Sequence, residues 1–209
     1  MSSPAWERSL DVATAEQTHA LAAALGAGLQ AGDLLVLTGE LGAGKTTFTQ
    51  GLGEGLGVRA GIISPTFVLV RIHPNLPDGP RPGGPDLVHV DAYRLGSASE
   101  IDDIDLENTL DTAVTVVEWG RGRVEHLSES RLEVELHRRL GSDPAGAQAA
   151  PSPDDQPNGR PDGAGVLDFD TEDDDEPRTV VFRGYGPRWA EPPAALTGAA
   201  AGPQTPEED

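Results

Sequence analysis

The chain contains no cysteine and only one lysine among its 209 residues. Without cysteine it has no disulfide, no thiol nucleophile and no cysteine-ligated zinc site. It also has no apolar run near the roughly 18 residues of a membrane-spanning helix, and residues 1–10 resemble no signal peptide. From these absences we expect a soluble, cytoplasmic protein that has no membrane partner.

Basic residues are scarce as well: 15 lysines and arginines stand against 35 acids, which gives a formal net charge of −20. A chain with this charge is poorly suited to wrap a nucleic acid by itself, so we expect no direct DNA binding. The histidines show no spacing typical of a metal site and are interpreted as structural or surface residues: His19, His73, His89, His126 and His137.

The acidic charge is concentrated in residues 141–177, which hold eleven acids, one base, six prolines and five glycines. Such a segment buries too little apolar surface to offset its chain entropy, so it is predicted to be a disordered acidic insertion. It is expected to interrupt a terminal hairpin, because a strand is predicted on each side of it, over 131–136 and 178–184. The predicted organisation is a main domain over 1–140, its final strand within 178–190 and a disordered tail over 191–209.

The single lysine, Lys45, lies in residues 39–46, which fit the P-loop pattern G-x-x-x-x-G-K-[ST]. Glycines let the backbone curl so that its N–H groups cradle phosphates, while the lysine reaches the β- and γ-phosphates. The Thr46 hydroxyl can bind Mg²⁺. The residues predicted to hold the nucleotide are Glu40, Leu41, Gly42, Ala43, Gly44, Lys45, Thr46 and Thr47.

The flanking sequence has the setting that a P-loop requires. Residues 33–38 are apolar and predict a buried parallel strand, and Phe48, Leu52 and Leu56 then recur at helical spacing. This strand–loop–helix unit predicts an α/β fold, a P-loop NTPase three-layer sandwich whose sheet is mostly parallel with antiparallel edge strands.

Further elements follow from local patterns. Strands are predicted over 6–12, 67–72, 87–90, 113–117, 131–136 and 178–184, and helices after Thr14 and over 99–110 and 121–127. The connection 73–86 holds five prolines and three glycines and is predicted to be a long mobile loop.

Two acids end predicted buried strands, Asp91 and Glu118. A P-loop NTPase needs such groups for Mg²⁺ or for the attacking water, and the pattern leaves open which acid serves which role. Either one could instead be an ordinary strand-end acid. Thr66 occupies a position typical of a switch threonine, although residues 64–66 could also be a simple turn.

Other candidates are less sharply defined. Trp119 could face the site or the core, and nothing in the sequence selects a charge-neutralising arginine among Arg59, Arg94, Arg121 and Arg123. The guanine-reading N-K-x-D motif needs a lysine, and the only lysine is already in the P-loop. ATP is therefore favoured over GTP.

Four motifs stand in order: 39–47 (GELGAGKTT), 64–67 (SPTF), 89–95 (HVDAYRL) and 117–120 (VEWG). Together they resemble the TsaE (YjeE) family of bacterial tRNA threonylcarbamoyladenosine synthesis. The resemblance implies weak intrinsic ATPase activity with Mg²⁺, action with the partners TsaB and TsaD, and modification of adenosine 37 in tRNAs that read codons starting with A. It implies that tRNA is met only through this complex.

The same resemblance implies roles for single residues. Lys45 and Thr46 serve phosphate and Mg²⁺, Thr66 is the switch threonine, and Asp91 and Glu118 are the essential acids, with Trp119 near the nucleotide. The segments 73–86 and 141–177 are longer than the family needs.

Two other functions fit the residues. One is a nucleotide-gated assembly module whose bound state matters more than its turnover. The other is a small-molecule P-loop kinase, although its natural lid, residues 73–86, offers only Arg81 as a basic group.

Overall fold

The computed structural model describes residues 3–95, 106–139 and 176–197. These residues form seven strands, β1 Trp6–Val12, β2 Leu34–Gly39, β3 Val70–His73, β4 Asp86–Asp91, β5 Ala113–Glu118, β6 Arg131–Arg138 and β7 Arg178–Tyr185. The helices are α1 Ala15–Gly26, α2 Lys45–Leu56, the short α3 Glu107–Leu110 and α4 Ala194–Thr197, with a 3₁₀ turn at Pro187–Trp189. No helix in these ranges is long and apolar enough to span a membrane.

The strands form one sheet in the order β1-β7-β6-β2-β5-β4-β3. The four central strands pair in parallel, whereas β1, β7 and β3 join the edges in antiparallel orientation. The predicted α/β P-loop NTPase fold with antiparallel edge strands is therefore confirmed.

Helices α1 and α2 cover one face of the sheet. Leu25, Phe48 and Leu52 are buried there against the strands. Two glycines of α2 let the helices approach closely, because a Cβ at Gly51 would lie 2.3 Å from the His19 carbonyl oxygen and one at Gly55 would lie 2.1 Å from that of Ala23. These glycines weaken the isolated helix, and the tight contact with α1 compensates for that loss.

The opposite face carries a thinner layer. Val36, Val90 and Val117 are buried there beneath Leu110 of α3 and Val124 of the segment after β5. The β-sheet is thus enclosed on both faces, as the three-layer prediction requires.

Strands β6 and β7 are neighbours although 39 residues separate their facing ends, Arg138 and Arg178. The Arg139 N–H donates to the Pro177 carbonyl at 2.9 Å, so the chain leaves and re-enters the sheet at one point. This arrangement is the interrupted hairpin predicted from the sequence. The predicted insertion itself lies outside the described residues apart from its last two positions.

Two local predictions are wrong. Residues 121–127 form turns rather than a helix, because Gly122 adopts φ 79° and its N–H is taken by the Glu125 carboxylate at 2.6 Å. The strand predicted from residue 67 begins only at Val70, because the Pro65 carbonyl accepts the N–H groups of both Val68 and Leu69 and closes a turn.

Two further segments differ from expectation. The loop 73–86 is fastened to the carboxyl end of α2, since the Asn75 side chain donates to the Leu56 carbonyl at 3.0 Å and the Leu76 N–H to that of Gly57 at 2.9 Å. The disordered tail is predicted to begin at residue 191, but α4 lies within that range and its Leu196 is buried in the core. Of the predicted helix 99–110, only α3 falls in the described ranges.

Candidate functional site

The P-loop joins β2 to α2 at the carboxyl end of the parallel strands. Gly42 and Gly44 adopt φ angles of 76° and 95°, which residues other than glycine rarely adopt. Gly44 is the N-cap of α2, and no side chain makes a cap hydrogen bond there. The first-turn N–H groups and the positive end of the helix dipole form an anion-binding arrangement.

Lys45 is buried at the centre of this loop. Its Nζ donates to the carbonyls of Gly39 at 3.0 Å and Glu40 at 2.9 Å, and lies 4.1 Å from the ring centre of Trp119. Burial lowers the pKa of the Lys45 ammonium, while the carboxylates of Glu118 and Asp91 oppose part of that shift. The ammonium group is thus held in place by hydrogen bonds, and because it is buried, a nearby anion stabilises it.

The two strand-end acids come together beside the loop. Strands β4 and β5 are parallel and in register, so that Asp91 and Glu118 are direct partners. Both side chains are buried, although carboxylates are seldom buried without partners. Their charges act on the same lysine.

Asp91 is held by the segment before β3. The Thr66 hydroxyl donates to Asp91 Oδ2 at 2.5 Å and the Ser64 hydroxyl lies 3.3 Å from the same oxygen, while the Tyr93 N–H donates to Oδ1 at 2.9 Å. Residues 64–66 therefore enter a turn and also present hydroxyls to the site. The turn interpretation is confirmed, and the switch role of Thr66 stays a prediction.

Trp119 faces the site rather than the core. It has φ 61°, an uncommon value for a residue with a side chain, and its N–H is held by the Leu37 carbonyl at 2.9 Å. This backbone conformation turns the indole ring over Lys45, where Tyr93 meets it edge-on at 5.4 Å between ring centres.

These groups surround a cavity of about 300 Å³. Its lining is Leu41, Gly42, Gly44, Lys45, Thr46, Thr47, Ser64, Thr66, Asp91, Glu118 and Trp119. Of the predicted nucleotide residues, Ala43 is buried in the core and Glu40 is exposed, and neither is among the residues that line this cavity.

The donor set suits a phosphate chain and a hard divalent cation. The glycine loop and Lys45 supply N–H donors and positive charge, and the oxygens of Thr46, Asp91 and Glu118 are the ligand type that Mg²⁺ takes. The role of each residue stays a prediction.

None of the four candidate arginines lines this cavity. Arg123 donates to the Ala92 carbonyl at 2.6 Å, and Arg121 is paired with Glu135 at 3.0 Å. Arg121 borders a separate cavity of about 660 Å³, which is larger but whose arginines are neutralised by neighbouring glutamates. The smaller cavity is the candidate site because unlike functional groups converge on it, and not because of its size.

Two residues near the site were missed by sequence reasoning. Arg178 of β7 is buried, and its guanidinium lies behind the P-loop. A Cβ placed on Gly44 would lie 3.3 Å from Nε of Arg178. His89 of β4 is buried and bonded to Glu118. Only the alternation of His89 and Asp91 along one strand could have placed His89 on the site face, and no local signal precedes Arg178.

The chain is similar to proteins of one family. The family model described as "Threonylcarbamoyl adenosine biosynthesis protein TsaE" matches residues 12–143. Similar proteins named "tRNA threonylcarbamoyladenosine biosynthesis protein TsaE" include that of Streptomyces coelicolor, 59% identical over 114 residues (54% of this chain, 74% of the relative). That of Bacillus subtilis is 40% identical over 129 residues (61% of this chain, 75% of the relative).

A solved structure is similar as well. The crystal structure of Bacillus subtilis YdiB aligns with a TM-score of 0.56 at 28% identity, and the match covers 88% of this chain and 89% of that one.

Proposed function

The chain belongs to the TsaE family, whose members take part in tRNA threonylcarbamoyladenosine synthesis, and from this premise we propose that it binds and hydrolyses ATP with Mg²⁺. In this proposal it acts with TsaB and TsaD and is required for threonylcarbamoyl transfer to adenosine 37 of tRNAs that read codons starting with A. The observation that carries the proposal is the meeting of Lys45, Asp91 and Glu118 at one P-loop.

The chain's own residues divide the work. The P-loop N–H groups and Lys45 would bind the phosphates, and Thr46 and the two acids would supply the oxygen ligands of the cation. Mg²⁺, when bound, neutralises charge on the phosphate oxygens. One acid orients the attacking water, and Thr66 links the state of the site to the turn that carries Phe67.

A protein partner is supported by the rim of the cavity. Leu41, Phe67 and Tyr93 are 89%, 90% and 64% exposed and belong to the loop, the Thr66 turn and the chain after Asp91. Large exposed apolar side chains grouped at a functional site are typical of protein interfaces, in which aromatic residues are enriched. The net charge of −20 favours a protein partner over direct contact with tRNA.

One observation favours the assembly-module alternative. The Thr66 hydroxyl on Asp91 connects the site directly to exposed Phe67, so nucleotide binding at Asp91 can alter a partner surface without hydrolysis.

The kinase alternative has no such support. Residues 73–86 are fastened at the far end of α2, which spans about 18 Å for its twelve residues, so they do not cover the phosphate site.

The testing experiment compares ATP turnover by the purified protein alone and with TsaB, TsaD and tRNA, and Lys45→Ala serves as the inactive control. We expect slow turnover that the partners stimulate. Modification supported by a variant that binds but does not hydrolyse ATP would favour the assembly module, and phosphate transfer to a metabolite would favour the kinase.

A further inference from the structure

His89 lies in β4 beside one of the two acids of the site. Its Nε2 is 2.8 Å from Oε1 of Glu118, and the two side chains are 0% and 3% exposed. His89 itself does not line the cavity, whereas Glu118 does. A hydrogen bond to a carboxylate is short and strong, and burial reduces the competition from water.

The second ring nitrogen of His89 indicates the tautomer. Nδ1 is buried and has no hydrogen-bond partner. A buried N–H without an acceptor is rarer in folded proteins than an unpaired acceptor, because the lost hydrogen bond is costly. These contacts favour the tautomer that carries its proton on Nε2, which is the one able to donate to Glu118.

His73 of β3 packs on the same ring from the neighbouring strand. The two ring centres are 6.4 Å apart, and His73 is itself buried. Burial is the largest cause that lowers the pKa of His73 from its ordinary value. The His89 ring is thus enclosed between a strand neighbour and Glu118.

We propose that His89 is a positioning residue for Glu118. By donating to Oε1 it orients the carboxylate, so that the second oxygen is presented to the cavity that Lys45 and Asp91 share. This inference rests on the proposed ATPase and adds that the work of Glu118 depends on a side chain that does not touch the nucleotide.

A matched pair of substitutions tests the proposal. His89→Gln keeps an N–H donor at similar reach, whereas His89→Met has similar length but no donor. We expect His89→Met to lower kcat for ATP hydrolysis by about 10–100-fold, as loss of a residue that orients a ligand commonly does. The Kd of a non-hydrolysable ATP analogue should stay near the wild-type value, and His89→Gln should recover most of kcat. Equal kcat in the two folded variants would overturn the proposal.

A second readout does not depend on activity. Nitrogen NMR of the imidazole rings, with His89→Gln to assign the signal, should show His89 as the Nε2–H tautomer, with a changed signal in Glu118→Gln. A ring protonated on Nδ1 alone, with no proton on Nε2, would overturn the proposal even if both variants are too unstable for kinetics. Absence of wild-type turnover with all partners present would refute the ATPase instead, and the tautomer would still decide whether His89 orients Glu118.

Discussion

Substitution of Gly51 by alanine tests how α2 is held. In an exposed helix this change stabilises by about 1 kcal/mol, because glycine is the poorer helix former. Here the new Cβ would lie 2.3 Å from the His19 carbonyl oxygen and 2.8 Å from the Ala22 Cβ, both of which are firmly placed in α1. Overpacking of this kind costs about 1–3 kcal/mol, and contact with backbone places it at the upper end.

The net expectation for Gly51→Ala is therefore a loss of about 2 kcal/mol, or roughly 4–8 °C in Tm for a domain of this size. Gly53→Ala is the matched control in the same helix, since its Cβ would meet the flexible end of Ile62 rather than backbone. Thermal unfolding of the three proteins measures the difference. A Gly51→Ala variant as stable as the wild type, or more so, would refute the close packing of α1 on α2.

Four further outcomes are expected. Lys45→Ala should keep its Tm within a few degrees and lose ATP turnover, because Lys45 faces the site; calorimetry and an ATPase assay together check this. Glu118→Gln should slow hydrolysis far more than it weakens ATP binding, as kcat and Kd measured side by side will show. Deletion of residues 145–175 should leave Tm and turnover intact, since Arg139 N–H and the Pro177 carbonyl already meet; a large drop in Tm would contradict this. The pKa of Glu135 is lowered from its ordinary value to about 2, and the largest cause is the hydrogen bond from Arg121. The ionised Glu135 therefore stabilises the fold fully above about pH 4.5, and this contribution is lost as the pH falls towards 2. Denaturant unfolding should show that the free energy of unfolding of Glu135→Gln is about 1 kcal/mol below that of the wild type at pH 7, after allowance for solvent screening. At pH 2 the two proteins should be equally stable.

The parts of the site that could be predicted are those that depend on residues close together in the sequence. The octet around Lys45 has a local backbone requirement, and its flanking strand and helix have distinct periodicities. Asp91 and Glu118 could be placed because the carboxyl ends of parallel strands meet at one edge of a sheet, where ligands of α/β proteins bind.

The missed parts depend on contacts between distant segments. Arg178 reaches the P-loop from the far side of a long insertion, and no pattern near residue 178 indicates that contact. The segment after Trp119 has helical spacing, but Gly120 and Gly122 and the local hydrogen bonds favour turns. Leu196 lies in a stretch of low complexity, and burial against the core overrides its composition.

The measurement that tests the central claim most directly is the threonylcarbamoyladenosine content of tRNA in the native host after depletion of this protein. Mass spectrometry of digested tRNA should show a fall in the modified base in tRNAs that read codons starting with A, while those tRNAs remain present and mature. Re-expression of the wild type should restore the modification, and Lys45→Ala should not. Unchanged modification after full depletion, in a genome without a second copy, would contradict the account.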